Sequence, residues 1–340
     1  GQNECNEQNG VPAMKILAVD DDLFILELLP MMAARVGFTD ISTASSGAAA
    51  LDMLNKGDVV FDCLLFDISM PGMDGIELCG LVRAIPAYKK TPIIMLTAMT
   101  DRDYIDRAFM AGATDYATKP FDIVELDARL RAVEALVVAG TRAVASRRTK
   151  AGAPQSHNMQ SQLAGLSEEM QIEGNEKLIR CDALKNYLAQ LSRAGLASSQ
   201  VVAIKIDHIE TIYAKASPDE FLYALAEVAD TIGDIFKVYG YMMAYAGNGF
   251  FLVVSSKASM ESSVALEDEI QSLLDERGTE YDNSDPLDIE ITIGNPIRPS
   301  SSKTQQARKT FDRAIARAES RALRKRTEPR RPNIRLVRKY

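Results

Sequence analysis

The sequence predicts an α/β fold, a doubly wound parallel sheet of five strands, followed by a second unit of α+β type. Three observations carry that reading. An apolar run from Phe61 to Phe66, broken by one Asp, has the length and bulk of a buried strand and stops at Asp67, before the Pro/Gly loop Met70 to Gly75. Three more segments end in polar residues in the same way: Met14 to Val19 before Asp20-Asp21-Asp22, Pro92 to Leu96 before Thr97-Ala98, and Thr114 to Thr118 before Lys119-Pro120-Phe121. Helical patterns alternate with these strands, as crossovers between parallel strands require. Open sheets of this kind gather ligands at the carboxyl ends of their strands, so carboxylates, a hydroxyl and an ammonium are expected in one crevice.

Taken in order, residues 1–12 are polar and expected to be disordered. A helix follows Asp22 and runs to about Val36, with Gly37 as its stop. A strand near 40–44, a helix from Ser46 to Lys56, the strand before Asp67, a helix from Asp74 to Ile85, the Pro92 strand and a helix over 100–111 continue the alternation. Asp122 caps a last helix in which Ile123, Leu126, Leu130, Val133 and Val137 recur at helical spacing. From 140 to 175 the composition turns to Ala, Ser, Gln and Gly, with a basic patch at 142–150, which reads as a linker with room for some helix. The second unit, 176–326, begins with a helical segment over 176–194 and a strand over 201–207. A helix over 218–238 follows, and Tyr241–Ala246 with Phe250–Val254 forms a hairpin about Gly247-Asn248-Gly249. A helix over 259–276, a strand over 287–294 and a basic helix over 303–326 complete it, ahead of a basic tail at 327–340.

Length and composition fit two domains, since single cores rarely grow past about 250–300 residues; the chain has 340, of which 46% are hydrophobic. No stretch approaches the roughly 18 uncharged apolar residues of a membrane span, and residues 1–12 lack a basic-then-apolar leader, so the cytoplasm is the expected location. The four cysteines, Cys5, Cys63, Cys79 and Cys181, have no CxxC spacing and read as reduced and structural. His157 and His208 are isolated, which argues against a histidine-based metal or nucleophile site. Charge is uneven: residues 303–340 hold 14 Lys/Arg against 3 Asp/Glu, net +11, leaving −19 for the remainder of a chain whose total is −8. The tail either attracts nucleic acid or an acidic protein, or answers the chain's own acids. No aromatic-interleaved RNA motif or DNA-reading helix pattern is visible, so no sequence-specific nucleic-acid binding is expected.

Residues 13–139 resemble the receiver domain of two-component response regulators, a flavodoxin-like fold. The acid pair, the lone Asp before Met-Pro-Gly-Met-Asp-Gly, the Thr-Ala and the Lys-Pro-Phe stand in that family's order. The resemblance implies that Asp67 is the phosphoacceptor of a histidine kinase or phosphotransfer protein. It implies that Asp21, Asp67 and the Ser69 backbone carbonyl ligate Mg²⁺ while Asp20 holds a metal water. Thr97 and Lys119 would contact the phosphoryl group, Thr97 and Tyr116 would form the switch, and Lys119–Pro120 would be cis. Asp106, Arg107, Asp127 and Arg129 are expected to pair across a phosphorylation-dependent homodimer.

The second unit resembles the GGDEF diguanylate cyclase domain. Ile204 to His208 fall on its Asp-x-Asp-His strand, Leu225 to Ala229 on its Leu-x-x-Val-Ala helix, Tyr245 to Phe250 on its Tyr-Gly-Gly-Asp-Glu-Phe hairpin, Ile291 to Gly294 on Val-Ser-Ile-Gly, and Phe311 to Ala314 on Ala-Asp-x-Ala. The chemistry departs from the family. Lys205 stands at the first-strand metal Asp, with Asp207 retained after it. Asn248 and Gly249 stand at the signature acids, Tyr213 and Leu222 at the guanine contacts, Lys237 to Gly240 at the product-inhibition motif, and Glu319 at the phosphate-binding Lys. A cyclase needs two divalent cations on carboxylates, so the expectation is a catalytically dead domain, with no cofactor of its own, acting by contact with an unidentified downstream protein. The hairpin reads first as a tight turn and His208 as a packing or surface residue. Two alternatives stay open: a nucleotide or cyclic di-GMP sensing module, and an active cyclase.

Overall fold

The computed structural model describes residues 13–120, 122–150, 166, 170, 172, 174–299 and 304–327; of 141–150, 304 and 305 only the backbone is described. The expected disordered segment 1–12, Phe121, most of the 140–175 linker and residues 328–340 lie outside that set. The chain folds as two compact units, 1–157 and 158–340.

In the first unit β1 (Ile16–Val19), β2 (Ile41–Ala44), β3 (Cys63–Phe66), β4 (Ile93–Thr97) and β5 (Asp115–Thr118) form a parallel sheet in the order β2-β1-β3-β4-β5. β1, β3 and β4 are buried at every position, as parallel strands are when helices cover both faces. Those helices are α1 (Leu23–Arg35), α2 (Gly47–Lys56), α3 (Gly75–Ala84), α4 (Arg102–Met110) and α5 (Ile123–Lys150). Strand residues two apart share a face. Ile16 and Ala18, Cys63 and Leu65, and Ile94 and Leu96 accordingly meet Leu29 and Ala33 of α1 and Leu126, Leu130 and Val133 of α5 in one core. The helices start at the capping residues the sequence offers: Asp22, Ser46, Asp74 and Asp122 accept from the amides of Phe24, Ala49, Glu77 and Glu125. α5 differs from expectation in length, because Ala and Arg dominate the residues after Gly140 and keep its backbone helical to Lys150.

An ion pair ties β5 to α5. Arg129 Nη1 lies 2.6 Å from Asp115 Oδ2, and Nη2 lies 2.8 Å from Glu125. Burial pushes the Asp115 carboxyl above its ordinary range, and the Arg129 charge opposes that push. Arg129→Ala leaves the carboxylate uncompensated and is expected to lower the unfolding free energy by about 3 kcal/mol at pH 7. Because folding raises the Asp115 pKa, folding favours its protonated form. The deficit is therefore full above the folded pKa and disappears as the pH falls below the ordinary carboxylate value. Denaturant titrations of both proteins at pH 7 and at about pH 3 check this.

In the second unit β6 (Gln200–Ile206), β7 (Tyr241–Tyr245), β8 (Phe250–Ser255) and β9 (Ile291–Ile293) form an antiparallel sheet in the order β7-β8-β6-β9. Its helices are α6 (Cys181–Gln190), α7 (Arg193–Ala197), α8 (Ile209–Lys215), α9 (Pro218–Phe236), α10 (Ser263–Arg277) and α11 (Thr304–Thr327). Val202, Ile204 and Ile206 of β6 share a core with Ile209 and Ile212 of α8, Leu225, Val228 and Ile232 of α9, and Leu266 and Ile270 of α10. α11 packs along β6 and against α6.

Two boundaries moved, and two short helices were added. The expected helix over 176–194 starts only at Cys181, because Leu178 bridges Met243 of β7 and the Ile179 amide donates to the Met243 carbonyl at 2.8 Å. The expected strand over 287–294 shrinks to β9, where Ile291–Ile293 pair with Ile204–Ile206; the pairing ends at the Asp207 amide, which donates to the Glu290 carbonyl at 2.7 Å, because His208 after it turns left-handed and β6 offers no further partner. The short α7 and α8 were not anticipated; at five and seven residues they show no full helical period.

Candidate functional site

The first unit's site stands at the carboxyl ends of β1, β3, β4 and β5. The Asp67 amide donates to the Val19 carbonyl at 2.9 Å, which continues the β1–β3 pairing and brings Asp67 beside the acid run. Asp20 Oδ1 accepts from the Asp22 amide at 2.9 Å, fixing that carboxylate at the entry to α1. The loop after Asp67 is folded back tightly: the Met70 and Gly75 amides both donate to the Ile68 carbonyl, at 3.0 Å each. A Cβ on Gly75 would stand 2.1 Å from the Asp67 carbonyl oxygen, so only glycine fits there.

Lys119 closes the group, with Nζ at 2.6 Å from Asp20 Oδ2 and 3.2 Å from Asp67 Oδ1. It is aimed by its own amide, which donates to the Thr97 carbonyl at 2.7 Å, and the Lys119–Pro120 peptide after it is cis. Asp67 and Asp20 are 5% and 2% exposed, while Asp21 faces solvent. Burial pushes the Asp67 carboxyl above its ordinary range; Lys119 pulls it back, and Asp20 and Asp21 push it further. Burial works against the Lys119 charge as well, but the Asp20 hydrogen bond and the two carboxylates outweigh it and hold the ammonium above its usual range. One carboxylate oxygen from each of Asp20, Asp21 and Asp67 lies within 4.8 Å of the others. This all-oxygen donor set, open to solvent at Asp21, suits a hard cation that keeps waters, and the residues present fit Mg²⁺.

Residues 16–131 match the response regulator receiver domain family. The chemotaxis protein CheY of Pseudomonas aeruginosa is 43% identical over 108 residues, which are 32% of this chain and 86% of that protein. The chain belongs to the response regulator receiver family. Chemotaxis protein CheY-3 of Vibrio cholerae is 39% identical over 117 residues, 34% of this chain and 88% of its own. The heme response regulator HssR of Staphylococcus aureus is 41% identical over 120 residues, 35% of this chain and 51% of its own. These matches cover the receiver.

Beside the receiver's acidic pocket, Thr97 and Tyr116 are both fully buried. They meet through one residue that sequence reasoning missed. The Met99 amide donates to Thr97 Oγ1 at 3.3 Å, and the Tyr116 hydroxyl donates to the Met99 carbonyl. Burial pushes the Tyr116 phenol well up, and the Asp67 charge adds to it, so it stays a donor. Ser69 is exposed in the loop after Asp67. The four charged residues expected to pair across a dimer have partners inside the domain. Arg129 holds Asp115 and Glu125, Asp127 lies 3.2 Å from Arg131, Asp106 lies 3.9 Å from Arg102, and Arg107 sits over the Tyr104 ring.

In the second unit the residues singled out by the sequence comparison have the following surroundings. Lys205 Nζ lies 5.4 Å over the Phe250 ring. Asp207 is buried and accepts from the Thr292 hydroxyl at 2.7 Å, with Lys325 at 4.0 Å. Tyr213 packs edge-on against Phe221, Leu222 is half-buried on α9, and Glu319 is exposed on α11. His208 is exposed in a left-handed conformation, a surface residue. The hairpin turn uses its amides internally: Asn248 donates to the Leu166 carbonyl, Gly249 to the Tyr245 hydroxyl and Phe250 to the Gly247 carbonyl. Part of the basic charge of α11 answers the chain's own acids, since Glu267 lies 3.1 Å from Arg321 and 2.9 Å from Lys325. Among the described residues no helix is long and apolar enough to cross a membrane.

Proposed function

We propose that Asp67 accepts a phosphoryl group from a histidine kinase or phosphotransfer protein, and that the second unit passes the signal on by protein contact. The observation carrying the first half is the carboxylate trio with Lys119 at 2.6 and 3.2 Å. An Asp67 oxygen attacks phosphorus, the P–N bond of the donor phosphohistidine breaks, and the imidazole leaves and takes up a proton. Asp20, Asp21 and Asp67, with the Ser69 carbonyl, would hold Mg²⁺, which when bound neutralises charge on the phosphoryl oxygens. Lys119 already spans Asp20 and Asp67 and is placed to move from the carboxylates to a phosphoryl oxygen. The Thr97 hydroxyl, drawn to another such oxygen, would release the Met99 amide, and through Met99 the Tyr116 hydroxyl. A homodimer formed on this face would have to rearrange the internal ion pairs of Arg129 and Asp127. Phosphoryl incorporation from a small donor, followed on intact protein by mass, tests the assignment.

For the second unit, a degenerate GGDEF-like scaffold acting as an interaction module is the reading best supported. Lys205 occupies the end of β6 where a metal carboxylate would be needed, and the turn amides a phosphate would use already have acceptors within the chain. Calorimetry with GTP and cyclic di-GMP is expected to show no heat of binding. A saturable heat lost in Asp207→Ala would favour a nucleotide sensor instead.

A further inference from the structure

Between α9 and α10 the second unit carries a groove of about 380 Å³, lined by Ile235 of α9 and by Asp268, Glu269, Ser272 and Leu273 of α10. Ile235 and Leu273 are half-buried and give it an apolar floor; Asp268 and Glu269 are exposed on its rim. The same two helices add Glu227, Asp230, Asp234, Asp275 and Glu276. Arg277, the one basic residue on α10, is committed to Glu227 at 3.2 Å and Asp234 at 3.0 Å, and Lys237, which follows α9, lies 3.9 Å from Asp234, so these two cations answer the acids at the Arg277 end rather than Asp268 and Glu269. The rim is left with an excess of negative charge over an apolar strip.

We propose that residues 328–340 of the same chain dock in this groove. They carry five Lys/Arg against one Glu, with Ile334, Leu336 and Val337 set among the basic residues. That is the complement of an acidic rim with an apolar floor. Pro329 and Pro332 favour an extended strand and reduce the entropy lost on docking. The segment starts at the sheet edge beside α10: α11 ends at Thr327, and Lys325 near its end holds Glu267 at 2.9 Å, a carboxylate that faces the Ile293 amide of β9, so the chain must pass around α10 to enter the groove. Thirteen residues span roughly 40 Å when extended, and α10 is roughly 22 Å long, so the segment reaches the whole groove. Tethering also gives it an effective concentration on the order of millimolar, well above any free partner of similar chemistry. The inference is independent of the phosphorylation reading.

Limited trypsin digestion of the full chain tests it, with cleavage after Arg335 and Arg338 read by mass spectrometry. At low salt these bonds are expected to be cut about ten-fold more slowly in the wild type than in Asp268→Lys, Glu269→Lys. Raising salt to about 0.5 M should bring the wild type to the variant's rate, and excess synthetic peptide of residues 328–340 should do the same. Both substitutions lie at exposed helix positions; the neutralising pair Asp268→Asn, Glu269→Gln, expected to give an intermediate rate, covers the case in which charge reversal disturbs α10. Equal cleavage in wild type and both variants overturns the proposal. Protection that disappears on dilution also overturns it, placing the segment on a second copy. Protection that needs an added oligonucleotide, and is the same in all three proteins, assigns the segment to nucleic acid and overturns it too.

Discussion

Asp67→Asn is expected to abolish phosphoryl incorporation from acetyl phosphate or phosphoramidate in the presence of Mg²⁺, while leaving the receiver folded and somewhat more stable. The loss follows from chemistry: an amide oxygen is a poor nucleophile toward phosphorus, and neither Asp20 nor Asp21 stands at the end of β3, where the loop 68–75 shapes the approach. The gain follows from the electrostatics. Burial raises the Asp67 carboxyl above its ordinary range, so at neutral pH the ionised group costs folding free energy. Lys119 does not lose its last partner in the variant, because Asp20 remains at 2.6 Å. The variant is therefore expected to show the higher Tm in metal-free buffer at pH 7. The sign can be checked directly. The difference should be full above the folded-state pKa of Asp67 and vanish below the ordinary carboxylate pKa, where the wild-type group is protonated in both states. Incorporation that survives in the variant would move the phosphoacceptor elsewhere.

The receiver was legible because its site lies where apolar runs stop. β1, β3 and β4 are short apolar blocks that stop at a polar residue, and β5 stops just before Lys119; a parallel sheet places all such ends on one edge, so Asp20, Asp67, Thr97 and Lys119 could be gathered without knowing any contact. Met99 could not be found that way. Its part is played by its backbone amide and carbonyl, which carry no residue-type signal. The same holds for Gly75, whose need for a missing Cβ shows only when the Asp67 carbonyl is in place. The pairing of Arg129 with Asp115 was missed for a different reason: an Asp inside a strand block and an Arg on a helix face are each ordinary, and only the packing of α5 on β5 joins them. In the second unit the Asn-Gly hairpin was legible, because positive φ at Gly247, Asn248 and Gly249 is what those residue types permit. The shortened β9 was not, since its length is set by where its partner β6 stops, at the left-handed turn of His208.

No cyclic di-GMP is expected when the protein is incubated with GTP and Mg²⁺ or Mn²⁺, with or without beryllofluoride, and restoring the missing acids should not create it. The cyclase reaction needs divalent cations at the end of β6, where Lys205 now stands. An ammonium ~4 Å from a divalent cation costs about 8 kcal/mol at an effective dielectric of ~20, and Asp207, whose Oδ2 accepts from the Thr292 hydroxyl at 2.7 Å, is a single carboxylate where the reaction needs several. Asn248→Asp is expected to be nearly neutral in stability, because Asn and Asp both tolerate the left-handed backbone that position adopts at φ +50. Gly249→Glu is a different case. Its φ is +78, and a Cβ there would lie 3.0 Å from Ile209 Cβ and 3.2 Å from the Ile206 carbonyl oxygen. The backbone alone costs roughly 1–2 kcal/mol, and the crowding against α8 adds to it, so the double variant should unfold at lower denaturant than Asn248→Asp and remain inactive. Thin-layer separation of labelled nucleotide products, with denaturant midpoints measured on the same preparations, separates loss of fold from loss of chemistry. Cyclic di-GMP made by the wild type and abolished in Lys205→Ala would show that this lysine supports catalysis rather than blocking it.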